Sequence, residues 1–275
     1  MKPTRNITGE RLETAVFNLT TIEHLHRYAV ALDFVAGKKV LDIACGEGYG
    51  AKLLAKSAVE VMGVDIDQTV IEEAKKKYTG NNLQFREGST SSIPAEDNYF
   101  DTVISFETLE HVEEHDQFLA EIKRVLKPGG QLLISTPDKH QYTELANYKN
   151  PYHKKELYEK DFKELLKKYF PCVSFYRQAS FIGSSIVKET DPMISTTYSG
   201  DYTSVSQENA PPYLYHIAIA SAIPGKEIIP SLFQDQQLLT RLLQEQQAAL
   251  KRTITYRAGN TILYPFKFIR SLFQK

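Results

Sequence analysis

The feature that most constrains the fold is an apolar run that ends in a glycine-rich turn, followed by a second apolar run that ends in an acid. Residues 40–50 read VLDIACGEGYG, and residues 64–67 read VDID. Where a strand leads through such a turn into a helix, the glycines let a ligand approach the backbone. An acid after the next strand accepts hydrogen bonds from ribose hydroxyls. The two runs therefore predict an α/β unit that binds a nucleoside-bearing ligand.

The charge of the turn indicates which ligand it binds. Dinucleotide dehydrogenases hold a pyrophosphate with the spacing G-x-G-x-x-G, whereas the three glycines of this turn are two residues apart. Asp42 precedes the turn and Glu47 lies within it, and acids favour a cation over an anion. S-adenosylmethionine (SAM) carries an ammonium and a sulfonium. Residues 41–50 resemble the first motif of the class I SAM-dependent methyltransferases, and the alternative is a glycine turn without a ligand.

The order of strand-like and helix-like segments agrees with this resemblance. Strand-like runs alternate with helical patterns, which is typical of a largely parallel sheet covered on both faces. No helix is predicted between the last two runs, which favours an antiparallel pair. The resemblance implies a Rossmann-like fold with a seven-stranded, mostly parallel sheet and an antiparallel last strand. The predicted strands are 39–43, 60–64, 83–87, 101–106, 131–136, 173–178 and 213–220.

Three parts of the chain are expected: an N-terminal helical lid (1–35), a SAM-dependent methyltransferase domain (36–224) and a helical, basic-aromatic tail (225–275). The 275 residues carry a net charge of −1, which provides no general attraction for nucleic acid. The two cysteines form no disulfide framework, and neither a signal peptide nor an apolar run of membrane-spanning length is visible. We therefore expect a cytoplasmic protein without a nucleic-acid partner.

The cofactor residues follow from the resemblance. Asp42 is expected to reach the methionine ammonium of SAM, and Asp65 the ribose. Ile66 is expected to pack on the adenine, and a Cβ at Gly46 or Gly48 would collide with the ligand. Arg27, on the N-terminal helix, is the expected partner of the SAM carboxylate, because arginine binds carboxylates through two hydrogen bonds. The other residues assigned to the cofactor are Cys45, Tyr49, Gly88, Ser89, Thr90, Phe106 and Glu107.

The third strand shows one departure from the family. Relatives often have an acid after the glycine that corresponds to Gly88, and this acid reads the adenine amino group. This chain has Ser89 there. We therefore expect the adenine contact to come from a hydroxyl or from the backbone.

Residues 105–111, SFETLEH, resemble the fourth strand of the family and the loop after it. Ligands of open α/β sheets bind beyond the carboxyl ends of the strands. We predict His111 as the general base that takes a proton from the acceptor, oriented by Glu110 or Glu107. The alternative is that His111 only braces the loop.

The acceptor side is expected after the fifth strand, where Tyr152 and His153 are the candidate substrate residues. The sequence that precedes His153 is equally typical of a helix start. No metal is predicted, because no Cys/His cluster has zinc spacing. A Mg²⁺ ion on Glu107, Glu110 and His111 is the alternative.

Residues 9–11, 24–28 and 150–153 extend the resemblance towards methyltransferases of bacterial cell-surface polysaccharide synthesis, including O-antigen, capsule and lipopolysaccharide. This resemblance implies a sugar hydroxyl or terminal phosphate of a lipid-linked glycan as acceptor. The alternatives are a small lipid-like metabolite such as a quinone precursor, a protein or RNA, and a non-catalytic SAM-binding scaffold for glycan assembly.

The C-terminal tail carries two patterns. Leucines at spacings of seven, four and seven within 231–252 predict a short coiled-coil seam and thus an oligomer, or one helix that lies on the domain. Residues 251–275 hold six basic residues, no acid and many aromatic and aliphatic residues. Such a segment binds an anionic membrane surface, here the inner membrane, or a partner such as a glycosyltransferase, or it packs on its own domain.

Overall fold

The computed structural model describes residues 19–181, 183–190, 197–200, 205–208, 213–234 and 238–259. The motif at residues 9–11, the first part of the expected lid and the tail from residue 260 onward lie outside these ranges. The chain divides into two compact units, Met1–Phe233 and Gln234–Lys275. The first unit therefore extends past the domain end expected at residue 224.

Nine of the described strands form one sheet with the order β11-β7-β6-β10-β5-β4-β1-β2-β3. A separate pair consists of β8 and β9. The strands are β1 (Lys39–Ile43), β2 (Glu60–Asp65), β3 (Leu83–Glu87), β4 (Phe100–Phe106), β5 (Leu126–Pro137), β6 (Cys172–Phe181), β7 (Gly183–Lys188), β8 (Thr197–Gly200), β9 (Val205–Glu208), β10 (Tyr213–Ser221) and β11 (Ser231–Phe233).

Helices of the first unit cover both faces of this sheet. They are α1 (Leu19–Val35), α2 (Tyr49–Leu54), α3 (Gln68–Lys77), α4 (His115–Val125) and α5 (Glu159–Tyr169). The second unit contains α6 (Leu238–Arg252). Two shorter helical turns, Leu109–His111 and Lys139–Glu144, follow β4 and β5.

All seven predicted strands form, and the prediction of an antiparallel last strand is confirmed. Strands β1 to β5 pair in parallel, whereas β10 lies between β5 and β6 and is antiparallel to both. Four described strands were not predicted: β8 and β9, which form the separate pair, and β7 and β11, which extend the sheet beyond β6. The latter two are short and rich in serine, so their sequences lack the apolar run that indicates a buried strand.

The strands of the sheet centre are apolar because each of their faces is covered by helices. In β1, Val40 belongs to a core shared with α1, α2 and α3, while its neighbour Leu41 belongs to a core shared with α4 and α5. Successive side chains of a strand point to opposite faces. Alternate side chains of β1 therefore pack into the two cores on opposite faces of the sheet, and this burial fixes the register of the strand.

Two predicted helix starts were wrong. Helix α5 begins at Glu159 and not near residue 154, because the preceding residues form the loop that faces the candidate site. The leucine-rich stretch was expected to be helical from residue 231, but Ser231–Phe233 pairs with β7 as a strand and α6 begins at Leu238. The expected seam is thus divided between a strand of one unit and a helix of the other.

Candidate functional site

A cavity of about 460 Å³ lies at the carboxyl ends of β1, β2, β3 and β4. This volume is within the range of pockets that hold small molecules. Residues after the strand ends form its wall, as expected for a ligand site in an open α/β sheet. Eight of the predicted site residues line it: Gly46, Asp65, Ile66, Gly88, Thr90, Glu107, His111 and Tyr152.

The nucleoside end of the cavity is built around Asp65. Its carboxylate accepts hydrogen bonds from the backbone N–H of Gly46, at 2.9 Å, and of Asp67, at 3.0 Å. These two bonds fix the carboxylate at the cavity wall, where its oxygens retain further acceptor capacity for ribose hydroxyls. The side chain of Ile66 is 71% exposed beside it. An exposed apolar surface next to a fixed acceptor suits an adenosine.

The two glycines assigned to ligand contact have different surroundings. Gly46 has a φ of +52°, and a Cβ there would meet no atom of the protein within 4 Å. Gly48 has a φ of +81°, and a Cβ there would lie 2.6 Å from the ring of Phe85. Gly46 thus borders open space in the cavity. At Gly48 the glycine is required by the backbone conformation and by Phe85.

Asp42 lies beneath the turn and is 1% exposed. The hydroxyl of Tyr28 donates to both of its carboxylate oxygens, at 3.1 and 3.3 Å. Burial raises the pKa of Asp42 to about 7, while the hydrogen bond from Tyr28 acts in the opposite direction. Asp42 does not belong to the cavity wall, so its contact with an ammonium stays a prediction.

Glu47, the other acid of the turn, contributes less to the cavity than its position in the sequence indicated. Its carboxylate lies 3.0 Å from the ammonium of Lys77 on α3. That pair offsets the negative charge of Glu47. The preference of this turn for a cation therefore depends on Asp42 and Asp65.

Arg27 was expected at the carboxylate of the cofactor, and the structure places it behind the cavity wall, so this contact stays a prediction. The residue is 1% exposed and does not line the cavity. Its Nη1 donates to Oε1 of Gln178 at 2.8 Å and lies 3.5 Å from Oε1 of Glu107. Burial lowers the pKa of Arg27, but the nearby Glu107 carboxylate, Tyr215 and Glu23 outweigh this and raise it. Arg27 is thus a buried charge partner behind Glu107.

Several other predicted residues support the cavity from behind its wall. The hydroxyl of Tyr49 and Nδ1 of His24 form a hydrogen bond of 2.9 Å. The hydroxyls of Ser89 and Ser91 form another, also of 2.9 Å. Cys45 and Phe106 are 4% and 8% exposed and belong to the core. The predicted residues outside the cavity wall are Arg27, Asp42, Cys45, Gly48, Tyr49, Ser89, Phe106, Glu110 and His153.

Glu107 directly follows β4 and has a φ of +52°. Residues other than glycine rarely adopt this left-handed conformation, and those that do are concentrated at functional sites. Its carboxylate accepts a hydrogen bond of 2.6 Å from the hydroxyl of Ser135 on β5. Together with Arg27, this bond holds the Glu107 carboxylate at the cavity wall.

Glu110 and His111 lie on the short helical turn after β4. Glu110 is 1% exposed, and its Oε2 accepts a hydrogen bond of 3.1 Å from Thr136. Burial, and then the charge of Glu107, raise the pKa of Glu110. His111 donates from Nδ1 to the carbonyl oxygen of Tyr152 at 3.0 Å, and its Nε2 lies 3.9 Å from Oε1 of Glu110. The structure thus brings together the two predicted catalytic residues.

The loop before α5 is fastened to this turn, which places the predicted acceptor residues beside His111. The backbone N–H groups of Lys154 and Lys155 both donate to the carbonyl oxygen of Glu110, at 2.8 and 3.1 Å. The rings of His111 and His153 are 5.1 Å apart. Tyr152 lines the cavity, and His153 stands directly behind.

Sequence reasoning missed part of the cavity wall. These residues are polar or charged, and they lie one to six positions beyond a residue that was singled out. Counting positions after the predicted strand ends would have found the nearest of them, Ser91 and Thr108. The principal missed residues are Ser91, Thr108, Glu113, Glu114, Gln117 and Lys154.

The sequence has relatives among methyltransferases. Residues 41–134 match the model of a family described as methyltransferase domain. A probable SAM-dependent methyltransferase of Mycolicibacterium smegmatis is 37% identical over 132 residues, which are 48% of this chain and 51% of that protein. A phthiotriol/phenolphthiotriol dimycocerosates methyltransferase of Mycobacterium tuberculosis is 36% identical over 115 residues, 41% of this chain and 42% of that protein. The chain spans about half the length of the curated relatives it matches.

Solved structures share the fold. A SAM-dependent methyltransferase from Archaeoglobus fulgidus matches with a TM-score of 0.54 and 21% identity, over 73% of this chain and 92% of that one. The YcgJ protein from Bacillus subtilis matches with a TM-score of 0.52 and 16% identity, over 77% of this chain and 100% of that one. At such identities the likeness concerns the fold alone. The chain therefore has the α/β Rossmann-like fold of the SAM-dependent methyltransferases, as its strand pattern predicted.

Proposed function

We propose that the chain is a SAM-dependent methyltransferase that methylates a hydroxyl group. The observation that carries the proposal is one cavity with two different ends. A fixed carboxylate and an exposed aliphatic side chain, Asp65 and Ile66, form one end, and the imidazole of His111 lies at the other. The methyltransferase domain match over residues 41–134 supports the same enzyme class.

The residues present fit SAM as the methyl donor. Asp65 would hold the ribose, Ile66 would cover the adenine, and the open space at Gly46 would admit the ligand next to the backbone. Asp42 would attract the ammonium from beneath the turn. Bound SAM would supply a methyl group on a sulfonium, whose sulfur keeps the electron pair of the carbon–sulfur bond.

The chain's own part in the reaction is to place the acceptor and to accept its proton. Because Nδ1 of His111 donates to the Tyr152 carbonyl, its Nε2 is the nitrogen that takes the proton of the acceptor hydroxyl. Glu110 lies 3.9 Å away, and in its ionised form, which its raised pKa disfavours, it would stabilise the imidazolium that results. A positioned base of this kind contributes a factor of about 10²–10⁴, and holding the acceptor in line contributes more.

For the acceptor, we propose a sugar hydroxyl or terminal phosphate of a bacterial surface glycan or its precursor. The wall near His111 supports this, because it includes polar and charged groups that can bind several hydroxyls at once: Glu113, Glu114, Tyr152 and Lys154. The second candidate is a lipid-type hydroxyl, including a quinone precursor. The relative named as a phthiotriol/phenolphthiotriol dimycocerosates methyltransferase favours it.

The test is a transfer assay with tritiated SAM on glycan intermediates, lipid alcohols and quinone precursors side by side. We expect label in the glycan fraction, and a loss of about 100-fold or more in His111→Ala with SAM binding retained. Label only in the lipid or quinone fraction would establish the second candidate. SAM binding without transfer to any acceptor would instead favour the scaffold and refute the enzyme.

No described helix is both long enough and apolar enough to cross a membrane.

Contact with a membrane surface or a glycosyltransferase through residues 251–275 is also proposed, on the basic-aromatic composition of this segment. Deleting these residues should abolish co-sedimentation with anionic vesicles or capture of the glycosyltransferase, and leave SAM binding unchanged. Persistence of both interactions in the deletion variant would contradict the proposal.

The leucine pattern within residues 231–252 also leads us to propose an oligomer contact. Analytical sedimentation of the variant that lacks residues 238–252 tests this contact.

A further inference from the structure

Three side chains with metal-ligand chemistry meet at the wall of the cavity, where one of them, His111, lines it and the other two lie behind it. They are Glu110, His111 and His153, and one ligand atom from each lies within 4.8 Å of the other two. The fold brings them together, since two belong to the turn after β4 and the third to the loop before α5. The backbone bonds from Lys154 and Lys155 to Glu110 fix this arrangement.

Both imidazoles are held by Nδ1, which leaves Nε2 as the nitrogen with the lone pair. In His111, Nδ1 donates to the carbonyl oxygen of Tyr152 at 3.0 Å. In His153, Nδ1 donates to the carboxylate of Glu156 at 2.5 Å. Histidines that bind metals are oriented in this way, with the second ring nitrogen donating to a carbonyl or carboxylate.

Glu110 supplies the carboxylate. Thr136 holds its Oε2, and its Oε1 faces Nε2 of His111 at 3.9 Å. Metal–ligand bonds of about 2.1 Å would draw the three ligand atoms together by about 1 Å. The amide of Asn150, which donates to Nε2 of His153 at 3.0 Å, would give way to the ion.

We propose that Glu110, His111 and His153 bind a divalent transition-metal ion. Two imidazoles and one carboxylate favour Mn²⁺, Fe²⁺, Co²⁺ or Zn²⁺ over the oxygen-preferring Mg²⁺ and Ca²⁺. This set differs from the Mg²⁺ alternative considered from the sequence, in which Glu107 took the place of His153. Glu107 is instead engaged by Ser135 and Arg27.

The role of the ion rests on the proposed methyl transfer, whereas its binding does not. A cation beside the cavity would attract the acceptor oxygen and favour the loss of its proton. That proton would leave to water at the cavity mouth. The oxygen–carbon bond forms as the carbon–sulfur bond breaks, and the sulfur keeps the electron pair. His111 would then serve as a ligand of the ion and no longer as the proton acceptor.

Metal binding is measured without any acceptor. Protein dialysed against EDTA is titrated with Mn²⁺, and the free ion is followed by electron paramagnetic resonance. We expect one ion per chain, and at least tenfold weaker binding in His153→Ala and in Glu110→Gln. The matched control is His140→Ala, because His140 is 53% exposed and pairs with Glu144 outside the cluster. SAM binding by each variant shows that it is folded.

Failure to bind Mn²⁺ and, in parallel titrations, Co²⁺ and Zn²⁺, or equal binding by wild type and both cluster variants, would overturn the metal site. Methyl transfer is then compared with and without EDTA. Loss with EDTA and recovery with Mn²⁺ supports the role of the ion, while transfer that is unaffected by EDTA refutes it and leaves His111 as the base. Binding of Mn²⁺ without transfer to any acceptor refutes the proposed function and leaves the metal site intact.

Discussion

The affinity for SAM should depend on the ionisation of Asp42, and Asp42→Asn tests this. Burial raises the pKa of this carboxyl to about 7, so near neutral pH a large share of the protein holds it neutral. Only the ionised form attracts the ammonium of SAM. Binding should therefore release a proton from Asp42, and the affinity should increase as the pH rises towards 7.

The magnitude follows from that pKa. With a value of about 7, roughly half of the Asp42 carboxyls are ionised at pH 7 and roughly one in eleven at pH 6. The dissociation constant for SAM should thus be about fivefold larger at pH 6 than at pH 7. In Asp42→Asn the affinity should be lower at pH 7 and should lack this fivefold change, because asparagine carries no charge at either pH.

Stability should depend on pH with the opposite sign. The native state keeps the Asp42 proton between pH 4 and pH 7, whereas the unfolded chain loses it near pH 4. The wild type therefore loses stability relative to Asp42→Asn as the pH rises through this window. The pKa of an unperturbed aspartate is 3.8 and that of Asp42 in the native state is about 7. This difference corresponds to a loss of stability of at most about 4 kcal/mol.

Calorimetric titration with SAM at pH 6 and pH 7, in two buffers of different ionisation enthalpy, measures both the affinity and the proton release. Asp33→Asn is the matched control, because Asp33 is exposed at the end of α1. If the affinity for SAM changes between pH 6 and pH 7 by the same factor in the wild type, Asp42→Asn and Asp33→Asn, the contact between Asp42 and the ammonium is refuted. Urea unfolding across the same pH range checks the stability.

Three further changes follow from the packing. Gly50→Ala would place a Cβ 2.0 Å from the ring of Tyr28. Denaturant unfolding should therefore show a free energy of unfolding that is lower by about 3 kcal/mol. A decrease of less than 1 kcal/mol would contradict this packing. Arg27→Ala leaves Glu107 without its buried cation, so the same assay should show a loss of about 3–5 kcal/mol. A weaker SAM affinity at full stability would contradict this structural role and support the predicted contact with the SAM carboxylate. Ile66→Ala removes an exposed side chain. The affinity for SAM should therefore decrease several-fold while the melting temperature stays unchanged. An unaltered affinity would refute the contact between Ile66 and the adenine.

The sheet could be predicted because each buried strand carries its own signal. The runs in β1, β2, β4 and β5 are apolar on both faces, and a glycine or an acid marks where each ends. The last two strands on this side of the sheet, β7 and the edge strand β11, offer no such signal, since they are short and their stability depends on pairing with a neighbour. The start of α5 was also missed, because Lys154 and Lys155 donate backbone bonds to Glu110, a contact set by tertiary structure.

The cofactor end of the site could be predicted better than the acceptor end for a physical reason. Asp65, Gly46 and Ile66 lie within one β1–α2–β2 unit, so local geometry fixes their relation. His111 and His153 are 42 positions apart, and their contact depends on a loop whose path the sequence does not show. Arg27 is held in its buried position by Gln178 of β6, which lies 151 positions further along the chain.

The position of α1 changes how access to the cavity should be understood. The sequence predicts a lid over residues 1–35. The structure describes residues 19–35 of this segment, and from Ile22 to Val35 the inner face of α1 is part of the core. Glu23 accepts hydrogen bonds from Ser180 and Tyr215, which tie the helix to β6 and β10. None of the described residues that line the cavity belongs to α1. Opening the described part of this helix would expose the buried carboxylate of Glu23, so we expect ligands to enter over the loops after β3 and β4 and before α5, whose residues form the cavity wall.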